Sequence, residues 1–479
     1  MYDRYMKVLF ATSECVPFFK LGGLGDVSYA LPAALSRLGI HMTVALPYYE
    51  KIRVKKNISC VGPLAVDFAG KRELVFVFKT KLPNSSGEVL LFRHPRLNVY
   101  ETVGFLFFCQ CIAAFFPLAQ RIIGKSIHIL HCNDWHTAFI PVLIGEENKV
   151  RKGKCTLQSS TAKTVLTIHN LLYQGSVPVH VISDTGLSQT IVHPVIGLSG
   201  RREVNIFREG LERADVITTV SPSYAKEILT PTFGPHVYDV LRRRSDGVVG
   251  ILNGIDTTVW NPGTDQNISK NYTRTTVFSG KRENKKQLQK AVGLTQTDEL
   301  LFGFVGRIAP RQKGVDLIIE AIRRMPQKNF QVVLLGTGNS DQVKELEKLD
   351  AQREHIVYID TFDERLARRI FAGSDVFLVP SKFEPCGLTQ MIAMRYGAIP
   401  LVRKTGGLAD SVEDGKTGFV FDNYNVEELC RAMWKAIVLR QDEPEKWRAL
   451  IRAVMREDFS WRASAKKYAD LYGELLNRH

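Results

Sequence analysis

Three things are scarce in this 479-residue sequence: cysteines at paired spacing, long apolar runs, and tracts of low complexity. The eight cysteines show no framework spacing, which excludes a disulfide-stapled secreted scaffold and points to reduced thiols in a cytoplasmic setting. Cys109 and Cys111 are near neighbours, but no second Cys or His pair follows at zinc spacing, so no structural metal is expected. The longest apolar run, 104–118, is interrupted by Gln110 and falls short of the roughly 18–20 residues that span a bilayer. It reads as a buried helix, and no membrane partner is expected. At the N-terminus the apolar core covers only 8–11, too short for an export signal and the right length for a first strand.

What is present is a surplus of positive charge, with 64 Lys and Arg against 49 Asp and Glu, a net of +15. The basic residues are spread along the chain, with local runs only at 201–202, 242–244 and 281–286, and no groove-reading motif accompanies them. A nucleic-acid partner is therefore not expected. Most of this charge belongs on a solvated surface, and the remainder provides a field that attracts a small polyanion such as a nucleoside diphosphate.

The length suits two domains, each able to bury its own core. Short β-branched runs at 8–11, 42–46, 127–131, 164–168 and 216–220 alternate with amphipathic helical stretches, which predicts a parallel α/β sheet. The pattern restarts at 300–305, 331–335, 356–359, 376–379 and 399–402, with helices expected from Gly314, Asp341, Asp363 and Leu388. The expected organisation is an N-terminal domain over 1–250, a connection over 251–286, a C-terminal domain over 287–456, and a terminal helix over 457–479 that packs back on the first domain. The connection is assigned because 261–286 is polar and rich in Thr, Asn, Lys and Gly. Ligands of open parallel sheets bind beyond the strand C-termini, so those ends are where chemistry is sought.

In the second half, Arg307 follows the strand 300–305 and Lys313 comes six residues later, before a helix: a planar fork and a point charge placed to clamp a diphosphate. The strand 376–379 runs into S-K-F-E-P-C-G-L-T-Q, with Glu384 at the bend. The amides around Gly387, Leu388 and Thr389 are expected as open helix-start donors, with Pro385 in the first turn. Gly406 and Gly407, after 399–402, are expected to let backbone approach a ligand. In the first half, the loop 20–26, K-L-G-G-L-G-D, carries Lys20, Gly22, Gly23 and Asp26. Its spacing fits neither the dinucleotide fingerprint nor the P-loop. Asp134, Trp135 and His136 follow one strand and His169 and Asn170 another, supplying groups that hydrogen-bond hydroxyls and a flat ring for a pyranose. Asn253 sits in an Asn-Gly turn, where a purely structural role is equally available.

Taken in order and spacing, K-x-G-G-L-G-D at 20–26, D-W-H at 134–136, T-I-H-N at 167–170, N-G-I-D at 253–256, Arg307 with Lys313, E-P-C-G-L at 384–388 and T-G-G at 405–407 resemble the bacterial glycogen synthases and plant starch synthases. The resemblance runs to the closing F-S-W at 459–461. It implies a GT-B fold: two Rossmann-like α/β domains whose parallel sheets face a deep cleft. It also implies retaining transfer of glucose from ADP-glucose, or UDP-glucose in some relatives, to the non-reducing end of an α-1,4-glucan such as glycogen, with no metal and no cofactor.

Carried onto this sequence, the resemblance makes Glu384, His169, Asp134, Lys313 and Arg307 the catalytic set. Lys20, Gly22, Gly23, Asn170, Asn253, Arg307, Lys313, Phe362, Cys386, Gly387, Leu388 and Thr389 would bind the donor. Asp26, Trp135 and His136 would bind acceptor and sugar. Two positions depart from the related pattern: Ile392 stands eight residues after Glu384, where many retaining transferases carry a second Glu, and Phe362 replaces a Tyr expected on the adenine. A UDP-glucose-preferring enzyme and a non-catalytic glucan-binding protein are the competing readings. Retention of Glu384, Lys20 and Arg307 speaks against the second.

Overall fold

The computed structural model describes residues 6–52, 57–98, 100–124, 126–153, 162–197, 200–310, 312–326 and 328–477. The chain divides into two compact units, one formed by residues 1–251 with the C-terminal 461–479, the other by Leu252–Ser460.

In the first unit the strands are β1 (Lys7–Ala11), β2 (His41–Pro47), β3 (Ser59–Phe68), β4 (Lys71–Lys81), β5 (Glu88–Arg93), β6 (Ile129–Asn133), β7 (Lys163–Ile168), β8 (Ser176–Pro178), β9 (Val195–Ile196), β10 (Arg202–Asn205), β11 (Val216–Thr219) and β12 (Val248–Gly250). Nine of them form one sheet in the order β12-β11-β7-β6-β1-β2-β5-β4-β3, and β8, β10 and β9 make a small separate sheet. Pairing is parallel from β12 across to β5, with Val8 opposite Met42 on one side and Ile129 on the other. It turns antiparallel only where β5, β4 and β3 meet. The central strands read as continuous apolar runs because helices cover both faces. Val8, Phe10, Val44, Leu46, Ile129 and Val165 pack in one cluster with Leu31 and Leu35 of the helix Gly23–Arg37 and with Tyr468 and Tyr472 of the helix Trp461–Asn477. Each such side chain contributes roughly 1.5–3 kcal/mol on burial.

The apolar stretch expected to be a buried helix is the helix Thr102–Phe115, with Phe105, Phe107, Phe108 and Phe115 all buried. Helical backbone continues through Thr102–Ile123, 22 residues that by length and composition alone are long and apolar enough to cross a membrane. The sequence count missed this because Gln110 broke the run. Most of its surface lies inside the unit, against β3 and the helix Ile140–Gly153.

The second unit carries β13 (Leu300–Val305), β14 (Phe330–Leu335), β15 (Ile356–Ile359), β16 (Val376–Val379), β17 (Ile399–Arg403) and β18 (Phe419–Phe421). All are parallel, in the order β15-β14-β13-β16-β17-β18. This is the doubly wound order 3-2-1-4-5-6, which reverses between its first and fourth strands. In the first unit the equivalent reversal falls between β1 and β6. Loops after β1, β6, β13 and β16 therefore open at the two switch points, and these loops hold most of the residues singled out above.

The stretch 251–286 is not a bare connection. From Leu252 on it belongs to the second unit, and its last ten residues open the helix Val277–Val292, packed on the helix Glu364–Gly373. The polar composition misled because Lys281, Asn284 and Lys285 are buried with partners: the Lys281 ammonium donates to the carbonyls of Ala372 (3.1 Å) and Tyr396 (3.3 Å), and the Lys285 ammonium meets the Asp375 carboxylate at 2.6 Å.

Candidate active site

At the switch point of the second unit two loops are tied together. The Lys382 amide donates to the Gln312 carbonyl at 2.7 Å. Gly314 has φ +72°, and a Cβ there would lie 2.0 Å from the Pro380 carbonyl oxygen, so only glycine brings the loops this close. The result joins two residues that the sequence kept apart: Lys313 Nζ sits 2.6 Å from Glu384 Oε2, which also accepts from Ser381 Oγ at 3.0 Å. Glu384 is buried and Lys313 half-buried. Arg307, by contrast, is exposed, and no ion-pair partner is found for it among the described residues. The loop thus presents one unneutralised guanidinium beside one neutralised ammonium.

The bend after Glu384 is longer than the sequence suggested. Pro385, Cys386 and Gly387 precede the helix, which begins at Thr389 with Leu388 at its cap position and no side chain capping it, so its first amides point outward without side-chain partners. The glycines 406 and 407, expected to approach a ligand, instead approach this bend: a Cβ at Gly406 would lie 2.0 Å from the Glu384 carbonyl oxygen, and one at Gly407 2.1 Å from that of Cys386. The Gly407 amide donates to the Glu384 carbonyl at 3.1 Å. They are a backbone buttress that fixes where Glu384 stands. Burial pushes the Cys386 thiol up to about 12, so it stays protonated, with the Asn253 amide beside it. The Asn253 side chain is buried, and its Oδ1 has no hydrogen-bond partner. Phe362 follows β15 and is 91% exposed, its ring left without a packing role.

In the first unit the loop after β1 places Lys20 against Asp26, Nζ to Oδ2 2.7 Å, both about half exposed. Glu14, which the sequence reading passed over, shapes this loop: its Oε2 accepts from the amides of Leu21 (2.7 Å) and Gly22 (2.8 Å). Gly22 caps the helix Gly23–Arg37, and nothing lies within 4 Å of a Cβ built on Gly22 or Gly23, so both backbones are open to an approaching ligand.

After β6 comes a strongly perturbed carboxyl. Asp134 has φ +59° and ψ −176°, a region costly for a residue with a Cβ. It is buried, its Oδ1 has no partner, and burial raises its carboxyl to about 8 despite the opposing amides of Asn170 and His169. His169 Nε2 lies 3.0 Å from Asn133 Oδ1, and His136 Nε2 2.9 Å from the hydroxyl of Tyr100, a second residue that sequence reasoning missed. Burial pulls His131, His136 and His169 each down to about 3, so all three imidazoles are neutral at physiological pH. His131 is held between Tyr472 Oη (2.5 Å) and Thr167 Oγ1 (2.6 Å), which ties the C-terminal helix to the sheet behind the site. Trp135 is not an open platform. It stacks on His136 at 4.1 Å between centroids, meets Phe105 edge-on at 5.3 Å, and lies so close to Gly175 that a Cβ there would be 2.4 Å from its ring. Asn170 caps its own turn, accepting from the Leu172 amide at 3.0 Å.

Comparison with known proteins decides what these sites belong to. The family described as the starch synthase catalytic domain matches residues 7–243, and that described as glycosyl transferases group 1 matches residues 285–453. A glycogen synthase of Lacticaseibacillus casei is 39% identical, covering 99% of this chain and 100% of that protein. The chain belongs to the glycogen and starch synthase family of glycosyltransferases. A glycogen synthase of Thermodesulfovibrio yellowstonii is 37% identical, with 98% of both chains covered. The catalytic domain of starch synthase IV from Arabidopsis thaliana, solved with ADP and acarbose, superimposes with a TM-score of 0.86 at 33% identity over 99% of this chain and all of that one. That match carries the GT-B fold. Sucrose-phosphate synthase of Thermosynechococcus elongatus, at 17% identity and a TM-score of 0.62, shares the fold alone.

Proposed function

We propose that the chain transfers glucose from ADP-glucose to the non-reducing end of an α-1,4-glucan, with retention of configuration and without a metal, in the cytoplasm. The observation that carries this is the Lys313–Glu384 pair beside unpaired Arg307 at a doubly wound switch point. Family membership and the ADP held by the Arabidopsis relative support it.

Arg307 and Lys313 neutralise the diphosphate as it leaves, aided by the open amides at Leu388 and Thr389 and by Lys20 with the Gly22 and Gly23 backbone. Fixed cations and dipoles aimed at developing charge are the largest single source of acceleration in such chemistry. Glu384 keeps Oε1 for the glucose hydroxyls while Oε2 holds Lys313, and its charge tolerates oxocarbenium character. Asp134, His169, Asn170 and Asn253 orient the transferred glucose; Asp26 and the edge of the Trp135–His136 stack face the acceptor. The transfer runs at the front face. The acceptor hydroxyl oxygen bonds to the anomeric carbon as the carbon–phosphate oxygen bond breaks, and the departing diphosphate takes the hydroxyl proton. Phe362 stacks on the base. Transfer to glycogen by wild type, lost in Glu384→Gln, is the direct test.

A further inference from the structure

We propose that the second unit carries an anion-binding pocket for a small phosphorylated molecule, away from the Glu384 loop. The pocket is a cavity of about 180 Å³ entered between Arg274, Arg395 and Arg456, with Ile255, Met391, Met455 and Phe459 as its apolar lining. That volume equals the share of about six waters in the liquid, room for a phosphate and a small substituent. Three guanidiniums reach it from separate segments: the turn before the helix Val277–Val292, the last turn of the helix Thr389–Arg395, and the end of the helix Pro444–Val454. None of the three has a carboxylate within ion-pair distance among the described residues. The lining also holds Glu457 and Asp458, the latter accepting from the Ser460 amide at 2.9 Å, so three guanidiniums face two carboxylates.

Arg395 carries the chemistry furthest. Its Nε is sealed from solvent and has no hydrogen-bond partner. A buried guanidinium N–H left unmade is costly, and a phosphate oxygen satisfies it with the short, strong geometry that arginine forks favour. Three guanidiniums against two carboxylates leave the lining with positive charge to spare, which an anion offsets. The pocket also touches the machinery described above. Met391 and Arg395 lie on the helix that starts at Thr389, and Ile255 is two residues beyond Asn253 and donates its amide to the Phe459 carbonyl at 2.7 Å. Occupancy is therefore expected to change the donor KM. This last consequence rests on the proposed function; the pocket does not.

The test is calorimetric titration of the full chain with inorganic phosphate and, separately, with a hexose monophosphate. Three proteins are compared: wild type, Arg274→Ala with Arg456→Ala (both exposed, so the fold is kept), and Lys313→Ala. The expected result is saturable one-to-one binding by wild type and by Lys313→Ala, weakened roughly tenfold or more in the double variant, since charge-assisted hydrogen bonds are removed. Equal affinity for both probes identifies free phosphate as the ligand, and tighter ester binding identifies the sugar phosphate. No saturable binding, or binding lost in Lys313→Ala and kept in the double variant, overturns the pocket. In kinetics, the donor KM should shift at least twofold on saturation with the tighter probe in wild type and not in the double variant. An unchanged KM alongside intact binding overturns the coupling. A chain that transfers no glucose at all still gives the binding result, so the two readings fail separately.

Discussion

The two switch points solve different electrostatic problems. In the second unit the groups are charged: Lys313 and Glu384 pair at 2.6 Å with Arg307 unneutralised beside them. In the first unit the loop after β1 carries the exposed Lys20–Asp26 pair, but the groups on and after β6 and β7 are dry and neutral: three imidazoles pulled down to about 3 and a carboxyl pushed up to about 8. One arrangement suits a leaving diphosphate. The other suits a sugar, whose hydroxyls need hydrogen-bond partners without net charge. The contrast teaches that the neighbouring charge, rather than residue type or burial, sets the role, because Asp134 and Glu384 are both buried carboxyls and only Glu384 has a cation beside it.

The largest expected effect comes from breaking the charged side. Glu384→Gln and Lys313→Ala should each lower kcat by roughly 100- to 1,000-fold, the range seen when one transition-state donor is removed. Lys313→Ala should also cost about 2–3 kcal/mol of unfolding free energy, because it leaves Glu384 buried and unpaired. Adding Glu384→Gln should restore stability without restoring activity, and a denaturant series on the four proteins checks this.

The neutral side should respond in the opposite sense. The folded-state pKa of Asp134 lies above its ordinary 3.8, so its favourable contribution is present below pH 3.8 and is lost as pH rises through about 8. Asp134→Asn should therefore lower activity by about 100-fold yet raise Tm at pH 8–9, the gain shrinking toward pH 4. Thermal melts across that range decide it. An activity loss with no pH-dependent gain in Tm would show that Asp134 is not held protonated by burial.

A smaller effect follows from the imidazoles. Their folded-state pKa values lie below the ordinary 6.5, so the stability they contribute is present above pH 6.5 and lost as pH falls toward 3. The imidazole contribution should be constant from pH 6.5 to 7.5, where Asp134 alone lowers Tm as pH rises, and Tm should fall below pH 6.5, a fall that His136→Gln should soften. The smallest effect is at Phe362, whose exposure means that Phe362→Ala leaves Tm unchanged. It should raise the donor KM by less than about tenfold, the worth of one aromatic stack, while kcat holds.

The sequence was legible where strands are buried on both faces. The runs at 300–305, 356–359 and 376–379 match their strands end to end, because short, near-continuous apolar runs mark strands buried on both faces. The hairpin β3–β4 went unread since its alternating exposed residues dilute the apolar signal, although the turn at Ala69 and Gly70, both with positive φ, marks it. The helix Val277–Val292 was mistaken for a connection because its buried positions are lysine and asparagine, which composition assigns to solvent. The motifs fall on the loops after β1, β6, β13 and β16, but spacing carried no information on distance. The pairing of Lys313 with Glu384 and the Tyr100 hydroxyl on His136 join residues far apart in sequence, and the Glu14 brace under Gly22 folds the loop back on itself. The paired glycines 406 and 407, read as letting backbone approach a ligand, also admit the Glu384 backbone, which the sequence did not show.

The measurement that tests the central claim most directly is transfer of labelled glucose to glycogen from ADP-glucose and from UDP-glucose, side by side, with EDTA present. The account predicts EDTA-resistant transfer, faster from ADP-glucose, with the new linkage in the α configuration and the signal lost in Glu384→Gln. Absence of transfer from either donor, or transfer that persists in Glu384→Gln, would contradict it.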